Sequence, residues 1–439
     1  MRAFKGLLVV FFTLFLCLPA WGKVYIDIDS PAFQQFPTAI PDFRNMGTSE
    51  DREGLSRWFS EHLSSALDIT GYFRMIEKGA FLEDPNSAGI TAEETKFSDW
   101  SVVGADFLIK GGFNYDGKKL SVEFRLFDVV EGKLITGKKY WGKIEEKKAM
   151  MLRFVGEILH ALTGERGVFD TKIAFVGKRG NESEIYTVNF DGTDLQKITN
   201  FKSLSLLPHW SPDANRISLT SYLRNNPDYY IVDLRNGKVK RTSEYVGLNL
   251  SGPWSAHGEK ALLVLSKEGN EEIYTITIEN GKLERLTNDP SIDVSPSWSP
   301  DDKSIAFVSN RSGSPQVFIM DAEGKNARRL TFEGSYNTSP AWSPKGKKIV
   351  YEGSSNGSFQ LFTIDEDGNN AMQITFERGG AEDPCWSPDG RYLAFSSKIG
   401  QERRICIVNS NGLNLRVLDE IEGIQSLESP SWSPHLNLY

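Results

Sequence analysis

The chain is short of the residues on which most catalytic and metal chemistry is built. Its 439 residues include three cysteines and five histidines. His62, His160, His209, His257 and His435 never fall in pairs at ligand spacing, so no zinc site is expected. Walker and G-x-G-x-x-G loops are absent, which removes the usual phosphate cradles, and no cofactor is expected. No basic tract interrupts a formal net charge of −8. Nucleic acid is therefore a poor partner, because neutralising phosphates takes clustered Lys and Arg. Long hydrophobic runs are also missing, apart from one at the start.

That run, Leu7 to Leu18, follows Arg2 and Lys5 and precedes Ala20-Trp21-Gly22. A positive end, a short apolar stretch and small residues are the layout of a cleaved secretory signal, too short for a permanent membrane span. Residues 1–22 are read as that signal, with a mature chain from Lys23 that is exported and not inserted in a membrane. Cys17 follows the bulky Leu16, so lipid attachment there is the minor reading. Loss of Arg2 and Lys5 takes the net charge from −8 to −10. Cys385 and Cys406, the cysteines that remain, fall on the first and third strands of one repeat, beyond disulfide reach, and read as two small buried hydrophobes.

What the chain has in abundance is repetition. Trp210, Trp254, Trp298, Trp342, Trp386 and Trp432 are separated by 44, 44, 44, 44 and 46 residues, each in a phrase like Ser295-Pro-Ser-Trp-Ser-Pro-Asp. A period of this length marks four-stranded propeller blades. Each unit carries an apolar run such as Ile305 to Val308, a second such as Val317 to Met320, a turn with glycine (Gly192, Gly237, Gly281, Gly324, Gly368, Gly412) and a third short run. The array starts at Ile173 without a Trp strand before it and ends on a Trp strand, so Pro430 to Ser433 is expected to complete the blade begun by Ile173 to Thr199.

The preceding region mixes periods. Thr48 and Asp51 resemble a helix-capping pair, and Leu55, Trp58, Phe59, Leu63, Ala66 and Leu67 share one helical face. Ser30 to Pro41 reads as extended loop and Tyr72 to Ile76 as a strand. Leu120 to Leu126 alternates as a strand, and a second helix runs from about Glu145 to Gly164. The fold class is therefore multidomain: a small mixed α/β N-terminal domain over residues 23–165, two helices on four or five strands, then a six-bladed β-propeller over 170–439. Val24 to Asp29 alternates apolar and polar side chains; a sheet strand and a segment that pairs with another protein's sheet edge fit it equally.

Candidate chemistry is thin. Gly353-Ser-Ser-Asn-Gly357 matches G-x-S-x-G, but that motif needs a helix after the serine, and a strand follows here. The acid pairs Asp301-Asp302 and Glu382-Asp383 are read as solvated turns. No catalytic residue is assigned, and the short, even loops suit a docking surface. A peptidase-type or lactonase propeller is the alternative, and a carbohydrate-binding propeller would want exposed aromatics at its mouth.

With Leu162 to Val176 (LTGERGVFDTKIAFV) and Phe124 to Lys133 (FRLFDVVEGK) added to the repeats, the chain closely resembles the TolB family of the periplasmic Tol-Pal system. The repeat phrase alone is shared with prolyl oligopeptidase and tricorn propellers; the two added segments are more specific. The resemblance implies a monomeric, non-enzymatic periplasmic scaffold that links the outer-membrane lipoprotein Pal to TolA and the inner-membrane Tol proteins. It also implies a role in outer-membrane integrity and cell division. It places Pal contacts just before each Trp strand, at Asn249, Gly252 and Val294, and by ring symmetry at Asp293, Thr338 and Asp383. The TolA segment would be Lys23 to Phe33, centred on Lys23, Val24, Tyr25, Ile26, Asp27 and Ile28. The usual Pro-Asp is replaced by Ala256-His257, so the second blade's turn is expected to differ.

Overall fold

The computed structural model describes residues 34–83, 89–418 and 423–436. The signal-peptide expectation and the segment Lys23 to Phe33 lie outside the described residues.

The N-terminal region is a six-stranded sheet with helices against it. In chain order its elements are β1 (Phe36–Ala39), β2 (Arg44–Asn45), α1 (Leu55–Ile69), β3 (Phe73–Met75), α2 (Phe97–Val102), β4 (Phe107–Tyr115), β5 (Leu120–Asp128), β6 (Lys133–Gly142) and α3 (Lys147–Thr163). The strands lie in the order β3-β1-β4-β5-β6, with β2 also on β4. Helix α1 starts later than its capping pair suggested. Asp51 still serves the first turn, its carboxylate accepting from Leu55 N at 2.8 Å and Ser56 N at 2.9 Å, while Thr48 takes no part. α3 ends as read from sequence, on Gly164 at φ 80°.

Strands β1 and β2 fall outside the elements read from sequence, β1 inside the stretch taken for loop. Three prolines, Pro31, Pro37 and Pro41, make that stretch look irregular. Pro37 is tolerated because β4 begins pairing only at Thr38, opposite Phe107, so no ladder donor is lost. Leu120, Val122, Phe124 and Leu126 of β5 face the helices as expected and are fully buried. Phe124 lies at the centre of a ring cluster, 4.9 Å from Phe154 and 5.3 Å from Phe43 between centroids. Gly111 leaves room for it: a Cβ there would lie 2.0 Å from the Phe43 ring.

The rest is a ring of six four-stranded antiparallel sheets. Inner strands are Ser205–Trp210 in blade 1, Asn249–Trp254 in blade 2, Asp293–Trp298 in blade 3, Asn337–Trp342 in blade 4 and Glu382–Trp386 in blade 5. Blade 6 is shared between the two ends of the array: Ser426–Trp432 pairs with Lys172–Arg179, which continues to Glu182–Asn189 and Gln196–Lys197. Its register, Trp432 opposite Ile173, is the closure expected from the repeat phase. Lys172 N donates to Ser433 Oγ at 2.9 Å, Ser433 N to Lys172 O at 2.8 Å and Trp432 Nε1 to Thr171 Oγ1 at 2.8 Å. All six expected turn glycines sit at positive φ, 69–93°. Cys385 and Cys406 are free thiols on the first and third strands of blade 5.

Five of the repeat tryptophans are less than 10 % exposed; Trp298 is half-buried. Several reach across to the preceding blade: Trp210 Nε1 donates to Ser431 O at 3.1 Å, Trp254 Nε1 to Ser218 Oγ at 2.9 Å and Trp386 Nε1 to Ala341 O at 3.0 Å. These three staple neighbouring sheets, while Trp342 Nε1 bonds within its own blade, to Gly346 O at 2.8 Å.

The N-terminal sheet and helices sit on one rim of the ring, the rim formed by the turns after the inner strands and before the outer ones. Tyr392 Oη donates to Thr70 O at 3.2 Å and Asn414 Nδ2 to Gly71 O at 3.1 Å. Lys148 Nζ lies 2.8 Å from Asp191, and Glu165 lies 3.6 Å from both Lys345 and Arg391. A continuous apolar cluster runs from Leu159 through Phe169 and Phe190 to Tyr392 and Trp432. The opposite rim is left open by all described residues. Because ring closure depends on one terminal strand, deletion of residues 429–439 is expected to lower the propeller's melting temperature by more than about 10 °C. A scanning-calorimetry trace unchanged by the deletion would contradict this closure.

Candidate partner interface at the open rim

Each inner strand begins at the open rim and carries a β-bulge midway down. In five blades the bulge residue is non-glycine and left-handed: Leu207 at φ 53°, Ser295 at 51°, Ser339 at 48°, Asp383 at 55° and Ser429 at 50°. Each precedes a proline, which itself disfavours compact backbone at that position. Such a conformation costs on the order of 1 kcal/mol per residue. In two blades the bulge amide is bonded to the blade before: Asp383 N to Glu352 Oε1 at 2.6 Å, Ser429 N to Ser396 Oγ at 3.0 Å.

Blade 2 departs from this. Gly252 stands where the other five have proline, Ser251 is not left-handed, and the bulge moves one residue along, to Gly252 and Pro253. A Cβ at Gly252 would lie 2.7 Å from Leu262 O, so only glycine fits. The expected weakness at Ala256-His257 is made good by the next blade, where Asp302 accepts from Ala256 N through both oxygens, at 2.8 and 3.0 Å.

The bulges face a central channel of 530 Å³ lined by proline from all six inner strands and by the tryptophans of blades 2 to 6, together with His209, Asp302, Asp383 and Cys385. Burial pushes the His209 imidazole down to about 4 and the Cys385 thiol up to about 12, so both are uncharged at neutral pH. Glu382 and Asp383 are not a solvated turn. They begin the blade 5 inner strand, where Asp383 accepts from Ser429 Oγ at 3.0 Å and Glu382 pairs with Arg403 at 2.9 Å. The Gly353 to Gly357 segment is the end of one strand and the turn to the next, with no helix to raise a nucleophile.

The sequence-predicted contact residues divide into two sets. Gly252, Val294 and Asp383 line the channel, and Thr338 is half-buried beside it. Asn249 and Asp293 are fully buried at the head of their strands. Asn249 is an anchor for the loop over it: its Oδ1 accepts from Ser243 Oγ and Tyr245 N, and its Nδ2 donates to Tyr245 O at 2.6 Å and Gly247 O at 3.1 Å. What these anchors hold out to solvent was not foreseen. Val246 is 91 % exposed, Phe332 72 % and Phe376 75 %, with Leu204, Tyr245, Ile292 and Tyr336 also exposed in the loops that lead into the inner strands. An available signal was an aromatic directly after the threonine that follows the outer strand, as in Thr331-Phe332 and Thr375-Phe376, inside an otherwise polar turn.

Comparison with known proteins gives two domain matches: a TolB amino-terminal domain over residues 24–135 and a TolB β-propeller domain over residues 159–436. A relative named Tol-Pal system protein TolB from Syntrophus aciditrophicus is 45 % identical over 236 residues, 52 % of this chain and 52 % of that protein. One of the same name from Geobacter metallireducens is 39 % identical over 48 % of this chain and 49 % of its own length. The chain thus spans about half the length of these relatives in the matched region. The crystal structure of TolB from Acinetobacter baumannii superposes with a TM-score of 0.80 at 24 % identity, covering 91 % of this chain and 97 % of that one, a likeness of fold.

One carboxyl group beneath the channel makes the rim's chemistry measurable. Burial, and after it the Asp383 carboxylate, push Glu352 up to about 7 from 4.5. A carboxyl whose folded value is raised adds stability that is complete below the unfolded value and is lost as pH rises through the folded one. The span from 4.5 to about 7 corresponds to about 3 kcal/mol. Glu352→Gln keeps the acceptor for Asp383 N and removes the charge. It is expected to flatten the melting temperature against pH between 5 and 8 and to melt several degrees higher than wild type at pH 8. Parallel curves for the two proteins would show that Glu352 ionises normally.

Proposed function

Because the chain belongs to the TolB family, we propose that it is a non-enzymatic scaffold of a periplasmic Tol-Pal system, linking the lipoprotein Pal to TolA and supporting outer-membrane integrity during division. The observation that carries this is the open rim: apolar side chains held out on anchored loops around the channel mouth, on the side away from the N-terminal region. Exposed Val246, Phe332 and Phe376 would lose water on contact with a partner, each contributing about 1.5–3 kcal/mol when fully covered. Val294, Thr338 and Asp383 would meet the partner at the mouth, with Asn249, Gly252 and Asp293 shaping the loops from below. Lys23 to Phe33 would supply the second contact, to TolA, by strand addition.

Titration calorimetry of the mature chain with Pal tests the first contact. Val246→Asp with Phe332→Asp is expected to weaken binding at least about 100-fold while the melting temperature stays within about 2 °C, since neither side chain is in the core. Undiminished affinity would move the interface elsewhere. For the second contact, removal of residues 23–33 is expected to abolish TolA binding and leave Pal affinity and folding intact; equal TolA binding by both forms would reduce that segment to a sheet strand.

A further inference from the structure

The junction between blades 2 and 3 holds two carboxyl groups that no contact assigned above explains. Glu272 heads the third strand of blade 2 and Asp293 the inner strand of blade 3, and both are 0 % exposed. Glu272 Oε1 is well served, accepting from Arg285 Nη2 at 2.9 Å, Asp289 N at 3.0 Å and Asn270 Nδ2 at 3.2 Å. Asp293 Oδ2 accepts from Arg311 Nη2 at 2.7 Å. The other oxygen of each, Glu272 Oε2 and Asp293 Oδ1, is buried with no hydrogen-bond partner. The backbone brings the two residues together, since Asp293 N donates to Glu271 O at 2.9 Å. A buried acceptor left without a donor costs about 1–3 kcal/mol, and this junction carries two.

The ring supplies its own comparison. At the junction of blades 3 and 4 the same two positions are Gln316 and Asn337, and Asn337 Nδ2 donates to Gln316 Oε1 at 2.8 Å. At the junction of blades 1 and 2 the two positions are Asp228 and Asn249, and the Asn249 amide donates to the loop carbonyls Tyr245 O and Gly247 O. Position 293 has the shape of that asparagine without its N–H, and an ionised carboxylate cannot donate. One carboxyl proton restores the missing donor. The charges agree: Glu268, Glu272, Asp289 and Asp293 are paired there with Lys267, Arg285 and Arg311, and a single proton balances the set.

We propose that Asp293 is protonated in the folded protein and donates to Glu272 Oε2, forming a pH-sensitive clasp under the rim loop 287–293. Glu272 holds that loop directly through Asp289 N, and Asn270 Nδ2 binds it through Asp289 O at 2.7 Å and Ser291 O at 2.8 Å. When the Asp293 proton leaves to water, two like charges face each other away from solvent. Glu272 is then driven off Asp289, and exposed Ile292 loses its fixed place on the rim. Burial pushes the Asp293 carboxyl above its ordinary range, against the pull of Ser309 and Arg311 and with the help of Glu272. The proposal rests on the rim being the partner face, but the clasp itself can be read without a partner.

Thermal melts of the mature chain from pH 3 to 9 test it, with Asp293→Asn, which supplies the donor permanently, and Glu272→Gln, which removes the facing charge. A raised folded value means stability that is full below the ordinary aspartate range and lost as pH rises through the folded value. Wild type is therefore expected to lose roughly 2–4 °C relative to Asp293→Asn across the interval, and Glu272→Gln to show the same flattening. Glu352 is unchanged in all three and cancels. Parallel curves, or an Asp293→Asn protein that melts below wild type at pH 8, would overturn the clasp. Because no partner enters, such a failure leaves the rim interface standing, and a failed rim interface leaves the clasp standing.

Discussion

The structure depends on a strand from one end of the array closing a sheet begun at the other. A flat stack of six blades would expose two ladder edges and leave the tryptophan staple of the first blade without its carbonyl. Pairing Trp432 opposite Ile173 removes both defects at once, because Trp210 Nε1 finds its acceptor on Ser431, a residue of the returning strand. Closure also fixes the channel, since each inner strand is bulged against its neighbour and five bulge residues persist in a strained left-handed form. The same closing blade, through Phe190 and Trp432, joins the cluster on which the N-terminal helices sit. Which rim is covered and which is free follows from that.

The free rim is then an assembly of loops with a common support. In blades 2, 3 and 4 a buried polar residue, Asn249, Asp293 or Asn337, stands at the head of the inner strand, and the loop above it offers exposed Val246, Ile292 or Phe332. Asn249 and Asn337 hold the loop with amides that donate to loop carbonyls. Asp293 occupies the same place with a carboxyl group instead of an amide, which is why the blade 2–3 junction differs from its neighbours. Small departures from a repeat are informative for this reason: the other blades show what the position ordinarily does.

Much of this was legible in the sequence, and the reasons are particular. A 44-residue spacing of tryptophans can be satisfied by few architectures, and the missing Trp strand at Ile173 pointed directly at Trp432. The helices announced themselves through Leu55, Phe59 and Leu63, and through Met151, Val155 and Ile158. Strand β1 stayed hidden because Pro37 reads as a strand breaker unless one knows that its neighbour begins pairing a residue later. Glu382-Asp383 looked like a surface turn because two adjacent acids usually are one; the bulge turns Asp383 into the channel instead. The apolar rim was missed because pattern reading looks for apolar residues inside strands, and Val246, Phe332 and Phe376 lie in loops, where only the three-dimensional ring shows that they share one face.

The measurement that tests the account most directly is a hydrogen–deuterium exchange footprint of the mature chain with and without Pal. The account predicts slowed exchange in loops 243–249, 287–293, 331–337 and 375–381, with the opposite rim and the β4–β6 meander unchanged. Protection confined to the opposite rim or to the N-terminal sheet, with those loops exchanging as before, would contradict it.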